Sequence, residues 1–307
     1  MLENIDALRR QTAAVVIWYH PTLDNVKNII SYMDYVDKIY ILDNSEISNA
    51  DKLAQGPFGD EFIKQDQVPD AYKDKTRYYG DKIVYYSNGI NEGIGQKLNT
   101  ALEIIGNRYT YALLLDQDSQ FSDLVIYKFY TRVTENREDN VVIYAPSYIE
   151  AEAARKEQYG LVDRCITSGS LLNVAYARKL QGFNAGLFID EVDFEFCLRA
   201  RKQGYKLVQF YDGVLMGHSL GNAVSFGTLA QFREHSPLRT YYIVRNRLYM
   251  AQWFPDYKWK YYGSIVKKLV KIVLVETQKK QKWHAVKAAF ADYQQGILGA
   301  TKCTFNE

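Results

Sequence analysis

The apolar positions of this chain fall in short runs, each stopped by polar residues. Ala13-Ala14-Val15-Val16-Ile17-Trp18-Tyr19 is closed by His20-Pro21, and Lys38-Ile39-Tyr40-Ile41-Leu42 by Asp43-Asn44-Ser45. Tyr111-Ala112-Leu113-Leu114-Leu115 is closed by Asp116-Gln117-Asp118-Ser119. Runs of this length bounded by turn residues predict buried strands. Between the first two, Asp24 to Met33 carries apolar residues at helical spacing, with Asp24 as the candidate N-cap. A strand, a helix and a strand in so few residues predict a right-handed parallel crossover. Lys82 to Tyr86 predicts a further strand, and a helix follows from about Glu92 to Ile105 with Asn91 as its N-cap. Ser122 to Arg137 predicts a helix and Val141 to Pro146 a strand.

Beyond residue 147 the segments shorten, which suits a mixed continuation of one sheet. Val174 to Leu180 predicts a short helix closed by Gly182. A helix opened by the acidic stretch Asp190-Glu191-Val192-Asp193-Phe194-Glu195 runs to Gln203, with Gly204 as C-cap. Lys206 to Tyr211 predicts a strand. His235-Ser236-Pro237 opens another helix, with Ser236 as N-cap and Pro237 at the first helical position. From Tyr257 to Lys287 the chain is rich in Lys, and Ile265, Val266, Leu269, Val270, Ile272 and Val273 form a broad apolar stripe flanked by Trp259 and Trp283. That pattern fits an amphipathic helix on an anionic membrane surface. The alternative is a helix pair packed on the domain or on a second subunit. Ser48 to Lys82 is poorly periodic, with one short strand expected near Phe62-Ile63.

Composition narrows the picture only in places. A chain of 307 residues can bury a substantial core. Its net charge of +2 leaves no electrostatic footprint for nucleic acid. Cys165, Cys197 and Cys303 are far apart, which speaks against a disulfide framework or a zinc site and fits a reducing cytoplasm. The first residues are charged and lack the apolar core of a signal peptide, and no run approaches the about 18 apolar residues of a spanning helix. There are 26 tyrosines, each offering an apolar face and a polar tip for packing or for a sugar surface.

Chemistry collects where the strands end. In open parallel sheets ligands sit at the carboxyl ends of the strands, which brings forward Tyr19, His20, Asp43, Asn44 and the Asp116-x-Asp118 pair. Two carboxylates beside a buried strand suit a Mg²⁺ or Mn²⁺ ion that keeps waters and binds a diphosphate. Alone, the pair also fits a turn carrying two solvated acids. Gly93 and Gly95, near Asn91, let a ligand approach the backbone, but their spacing is neither the dinucleotide fingerprint nor a P-loop. The acids at 190–195 supply helix-start charge or a base for a hydroxyl. His218 is a candidate third metal ligand, and Arg239 or Arg245 a candidate phosphate fork.

Taken in order, these pieces resemble the family-2 glycosyltransferases of the GT-A fold, and among them the bacterial rhamnosyltransferases. The residues that carry the resemblance are Leu113 to Ser119, Asn91-x-Gly93-Ile94-Gly95, Ser168-Gly169-Ser170, Phe188 to Arg199, His218-x-x-Gly221 and Tyr241-Tyr242-x-x-Arg245-Asn246. The resemblance implies an α/β fold with a Rossmann-like nucleotide-binding half, a mixed central sheet and C-terminal amphipathic helices. It places the transferase domain at residues 1–250 and a helical, membrane-associating or dimerising segment at 251–307. It implies that Tyr19, Asp43, Asn91, Asp116 and Arg245 seat the nucleotide. Asp118 and His218 would bind Mg²⁺ or Mn²⁺, Ser168, Gly169 and Asp190 would contact sugar or acceptor, and Asp193 would be the catalytic base. The activity implied is an inverting transfer, with dTDP-L-rhamnose as the favoured donor and a lipid-linked glycan at the inner face of the cell membrane as acceptor. A UDP-hexose or galactofuranose transferase, a nucleotidyltransferase and a non-catalytic sugar-nucleotide-binding module are the alternatives. Val192 stands where many relatives carry Glu, and Gly95 where Ala is frequent.

Overall fold

The computed structural model describes residues 2–55, 69–216, 223–226 and 230–305. The strand expected near Phe62-Ile63 and the candidate ligand His218 lie outside the described residues. The chain divides into two compact units, Met1–Phe183 with Phe196–Ser219, and Asn184–Glu195 with Leu220–Glu307. The boundary expected at residue 250 falls inside a helix, Pro237–Trp253, of the second unit.

The first unit begins with α1 (Leu2–Arg10), β1 (Thr12–Trp18), α2 (Leu23–Asn28), β2 (Lys38–Asp43), α3 (Ala50–Ala54) and α4 (Asp70–Lys73). Then come β3 (Thr76–Tyr79), β4 (Ile83–Ser87), α5 (Ile94–Ile105), β5 (Tyr111–Asp116), α6 (Asp123–Glu135) and β6 (Val141–Ala145). α7 (Glu150–Ala153), β7 (Tyr159–Leu161), β8 (Ser170–Asn173) and α8 (Val174–Lys179) follow, with α9 (Val192–Lys202) and β9 (Lys206–Phe210) after them. Among the described residues the strands form one sheet, in the order β3-β4-β2-β1-β5-β8-β6-β9-β7. β4, β2, β1 and β5 are parallel neighbours. β8 is antiparallel to both β5 and β6, and β3 to β4, so the parallel block β4-β2-β1-β5 has an antiparallel neighbour on each side.

The central strand explains the apolar runs. β1 is buried along its whole length, as a strand covered on both faces must be. Alternate side chains point to opposite faces. Ala14, Val16 and Trp18 join a core with Ile5 and Leu8 of α1 and Ile126, Phe129 and Val133 of α6. α5 buries Leu98, Ala101 and Ile105 and packs on β1 and β2.

α2 and α5 differ from expectation at their starts. The helix expected from Asp24 to Met33 is α2 followed by single 3₁₀ turns at Ile29–Ser31 and Met33–Tyr35. Thr22 takes the cap position in place of Asp24, and its backbone N–H donates to Asn25 Oδ1 at 2.7 Å. α5 starts at Ile94 behind Gly93, whose φ of 81° breaks the helix two residues past Asn91.

The second unit holds the segment Asn184–Glu195, which includes the start of α9, and a hairpin of β10 (Ala223–Phe226) and β11 (Ala230–Arg233). After it come α10 (Pro237–Trp253), α11 (Lys258–Leu274) and α12 (Lys279–Gln294). Ser236 caps α10 as predicted, its Oγ accepting from Arg239 N at 3.2 Å, with Pro237 next. α10 is buried nearly all round, the mark of an interior helix, and α11 and α12 pack on it. Tyr241, Tyr242, Val244, Ile265, Ile272 and Ala285 form their shared core. Where α11 turns into α12, Lys268 and Lys282 are buried against Glu276, with contacts of 2.7 and 2.9 Å. Lys282 also reaches Glu234 at 2.7 Å. Two buried ammonium groups sharing two carboxylates leave no buried charge uncompensated. Among the described residues no helix is long and apolar enough to cross a membrane.

Candidate active site

In the first unit the parallel strands deliver their polar ends to one edge of the sheet. Asp43 closes β2 and is fully buried. Its Oδ1 accepts from Ser45 N at 3.0 Å, and its Oδ2 from Asn49 N at 2.9 Å, Asn49 Nδ2 at 3.0 Å and the Tyr85 hydroxyl at 2.5 Å. Burial first, then the Asp43 carboxylate, pushes the Tyr85 phenol above its ordinary range. Asp43 therefore folds the 43–49 loop; its oxygens are engaged within the protein. Asn44 is the link onward. Its Nδ2 donates to Asn91 Oδ1 at 2.9 Å, and its Oδ1 accepts from Glu92 N at 2.8 Å. Asn91 Oδ1 also accepts from Gly93 N at 3.2 Å, so Asn91 ties β2 to the entry of α5 instead of capping the helix.

Beside it lies a polar cluster that the sequence pattern hides. Lys97 is fully buried one turn into α5, with Nζ at 2.6 Å from Asn88 Oδ1 and 2.9 Å from Glu92 Oε2. Burial lowers the Lys97 pKa and Glu92 opposes that shift. Burial would raise Glu92, but the Lys97 and Asn88 hydrogen bonds outweigh it and hold the carboxyl below its usual range. A Lys at an inward helical position, five residues after a Glu, is the only sequence signal for this pair.

The turn after β5 is built from its own short side chains. Ser119 Oγ accepts from Asp116 N at 3.0 Å, and Ser119 N donates to Asp116 O at 3.1 Å. Ser168 lies beneath, its Oγ at 2.5 Å from Ser119 Oγ and 3.3 Å from Asp116 N. Gly169 N donates to Leu114 O at 2.6 Å, and the residue has a φ of 77°. Ser168 and Gly169, expected at the sugar, thus brace the turn from behind, and Ser168 is buried. Gln117 joins β5 to β1. Its Oε1 accepts from Tyr19 N at 2.8 Å, and its carbonyl accepts from Asn25 and Asn28 at 3.1 and 3.0 Å. Tyr19 is 44% exposed at the end of β1. Asp118 is half-buried, and its carboxylate has no hydrogen-bond or ion-pair partner among the described residues. The described residues hold no cluster of three or more His, Cys, Asp or Glu fit for a metal. His218, the expected partner of Asp118, lies outside them.

The second unit carries the acidic segment. Phe188, Asp190 and Glu191 have φ of 66°, 63° and 64°, a left-handed run without glycine. Such residues cost about 1–3 kcal/mol each and persist where the surroundings over-determine them. α10 supplies the surroundings. Asn246 Nδ2 donates to the carbonyls of Leu187, Ile189 and Asp190 at 2.9, 2.7 and 3.0 Å. Arg245 is fully buried; its Nη2 donates to Gly186 O and Leu187 O at 3.1 Å each, its Nη1 to Gly299 O at 2.7 Å and Tyr241 Oη at 3.3 Å, and its Nε to Asn246 Oδ1 at 3.0 Å. The phosphate role expected of Arg245 does not fit this placement, because every donor of its guanidinium is engaged inside the unit. Asp190 takes a forked contact from Arg239, the shortest leg 3.0 Å, and Glu191 accepts from Arg247 at 3.1 Å. α9 begins at Val192, two residues beyond Asp190. Asp193 is half-buried in the first turn of α9, its Oδ1 accepting from Phe194 N at 2.9 Å.

The sequence profile of glycosyl transferase family 2 matches residues 62–189. That stretch includes Asn91, Asp116, Asp118, Ser168 and Gly169, and stops short of Asp190 and Asp193. A dTDP-rhamnosyl transferase of Shigella flexneri, RfbF, is 23% identical over 94% of this chain and 96% of its own. The solved structure of S. aureus TarS 1-349 in complex with UDP-GlcNAc superposes with a TM-score of 0.56, over 94% of this chain and 81% of that one, at 12% identity. A structure of GalNAc-T7 with UDP, GalNAc and Mn²⁺ covers 68% of this chain and 43% of its own at 11% identity, with a TM-score of 0.46, too low to carry an argument. Residues 62–189 thus match the profile of glycosyl transferase family 2, and the mixed sheet is similar to that of GT-A glycosyltransferases.

Proposed function

We propose that this protein transfers a hexose, L-rhamnose in the favoured reading, from a nucleoside diphosphate to a hydroxyl of a lipid-linked glycan, with inversion at the anomeric carbon. The observation that carries the reading is Asp118. It is a carboxylate at the carboxyl end of a central parallel strand, half-buried and without a protein partner among the described residues. Such an oxygen donor, beside Asp116, suits a Mg²⁺ or Mn²⁺ ion that keeps waters and completes its shell with phosphate oxygens, so a three-residue protein cage is not required. The bound ion would offset charge on the leaving diphosphate. Asp118 and Asp116 would hold it, with His218 as the further ligand.

The other roles follow from chemistry. The exposed Tyr19 ring at the end of β1 offers a face for the base. Asn91 and Asp43 hold the loops that border the nucleotide. Asp193 takes the proton of the attacking hydroxyl, a contribution of about 10²–10⁴-fold in general-base catalysis. The preference for dTDP-L-rhamnose rests on the likeness to the Shigella flexneri transferase.

The test is thermal shift and donor hydrolysis across a panel of dTDP- and UDP-sugars, with Mg²⁺, with Mn²⁺ and with EDTA. Stabilisation and turnover by dTDP-L-rhamnose that need the ion are expected; about 100-fold saturation raises stability by roughly 2.7 kcal/mol. A preference for a UDP-sugar would replace the donor. Full turnover in EDTA would remove the metal, and silence across the panel would remove the transfer reaction.

A further inference from the structure

α11 has two apolar faces, and the core of the second unit covers only one. The covered face carries Tyr261, Ile265 and Ile272. A second row stands in solvent: Trp259 is 80% exposed, Val266 58%, Val270 48%, Val273 51% and Leu274 69%. At 3.6 residues per turn these fall within an arc of about 100°. Lys260, Lys267 and Lys271, all exposed, line one flank of that arc. No acid occurs anywhere in Lys258–Leu274. α12 repeats the pattern in small, with Trp283 and Phe290 each 37% exposed and Lys280 and Lys287 exposed near them.

Scattered exposed apolar residues are ordinary on a protein surface. A continuous row with Trp at one end and lysines along one side is the pattern of a helix lying in a lipid interface. Charge decides the occupant. A second copy of the chain, offering the same row, would set one all-basic helix against another. An anionic lipid headgroup layer satisfies the lysines while the acyl boundary takes the Val and Trp side chains.

We propose that the exposed row of α11 is a docking surface for an anionic lipid bilayer, with the helix lying in the plane of the interface. The proposal does not depend on which sugar is transferred or which ion is bound. If the acceptor is lipid-linked, this surface holds the enzyme where such acceptors are found.

The experiment is flotation of the full chain with vesicles of phosphatidylcholine alone and of phosphatidylcholine mixed with phosphatidylglycerol. Binding to the mixed vesicles at low salt, and release at about 1 M salt, where charges are screened beyond about 3 Å, is expected. Trp259→Ser with Val270→Gln should weaken binding at least about tenfold, because the apolar part of the interface is lost. Lys267→Glu with Lys271→Glu should remove the preference for anionic vesicles. In both variants the melting temperature and donor hydrolysis in solution should stay unchanged, which separates loss of docking from failure of the transfer reaction. No flotation of the parent chain, or equal flotation of parent and variants, overturns the proposal. So does a dimer in analytical ultracentrifugation that Trp259→Ser dissociates.

Discussion

A methyl group at residue 169 has nowhere to go. A Cβ built there meets Met216 Sδ at 2.0 Å and Phe121 Cζ at 3.2 Å, and the φ of 77° is one that side chains other than glycine adopt at a cost. Gly169→Ala is expected to lower stability by about 1–3 kcal/mol from backbone strain alone, read as a drop in the urea midpoint. Asp118→Ala is the opposite case. With no partner among the described residues to lose, it should leave the unfolding free energy within about 0.5 kcal/mol of the parent. It should also abolish metal-dependent stabilisation by donor, and retained stabilisation would move the ion elsewhere. Asp193→Asn is nearly isosteric but cannot accept a proton, so transfer should fall at least about 10²-fold while donor binding holds; near-normal transfer would assign the base to another group. At this scale the sequence reads well where a residue's position is set by its strand, as for Asp116 and Asp118 at the end of β5. It reads poorly where the answer is what fills a donor. Arg245 in a helix looks like a phosphate fork, and only burial and the carbonyls of Gly186, Leu187 and Gly299 show that it holds backbone.

Elements were legible in proportion to how much of their signal is local. The ends of β1, β2 and β5, and the Ser236-Pro237 start of α10, are written in consecutive residues and stand as predicted. The starts of α2, α5 and α9 are not. Thr22, Gly93 and the left-handed pair Asp190-Glu191 set them. The left-handed pair is held through Asn246, some fifty residues downstream, a pairing no local window contains. The β10–β11 hairpin and the α1 helix were missed because they are short: four, four and nine residues fall below the window in which a period stands out. Asn246→Ala tests the tie directly. It removes a donor from three carbonyls of the Leu187–Asp190 segment, of which Leu187 O keeps Arg245 Nη2, and a buried carbonyl left without a donor costs about 1–3 kcal/mol. A loss of about 2 kcal/mol or more is expected, together with faster amide exchange in residues 186–191; unchanged exchange there would mean the segment is held by something else.

For the molecule as a whole, acid should act through the second unit. Burial first, with Lys268 and Arg239 nearby, lowers His235 to about 4, against the pull of Asp190 and Glu276. Between about 6.5 and 4 the unfolded chain therefore binds the proton that the folded chain refuses, and stability falls as pH falls through that window. Glu234 is held down at about 2, first by Lys282 and then by Thr277, so its contribution is full above about 4.5 and is lost between there and 2. Urea midpoints should fall steadily from neutrality downward, and His235→Asn should flatten the upper part of the curve. A curve that His235→Asn leaves unaltered would place the acid sensitivity elsewhere. The fold class was readable from alternating strand and helix patterns, but the division into two units was not. It follows from the ties of 184–195 to α10, and these depend on chain folding back across long sequence separations.

One of those ties sets an order of events. Arg245, which grips Gly186 and Leu187, also needs the carbonyl of Gly299, and Tyr242 receives the N–H of Thr301 at 3.0 Å. During synthesis, at about 5–20 residues per second, the first unit can gather its sheet once β9 has left the ribosome. The segment at 184–195 must wait for nearly a hundred residues more. A nascent chain arrested after α10 should show a folded sheet and a protease-sensitive stretch around Phe188–Glu191, and that sensitivity should disappear only when residue 299 has emerged.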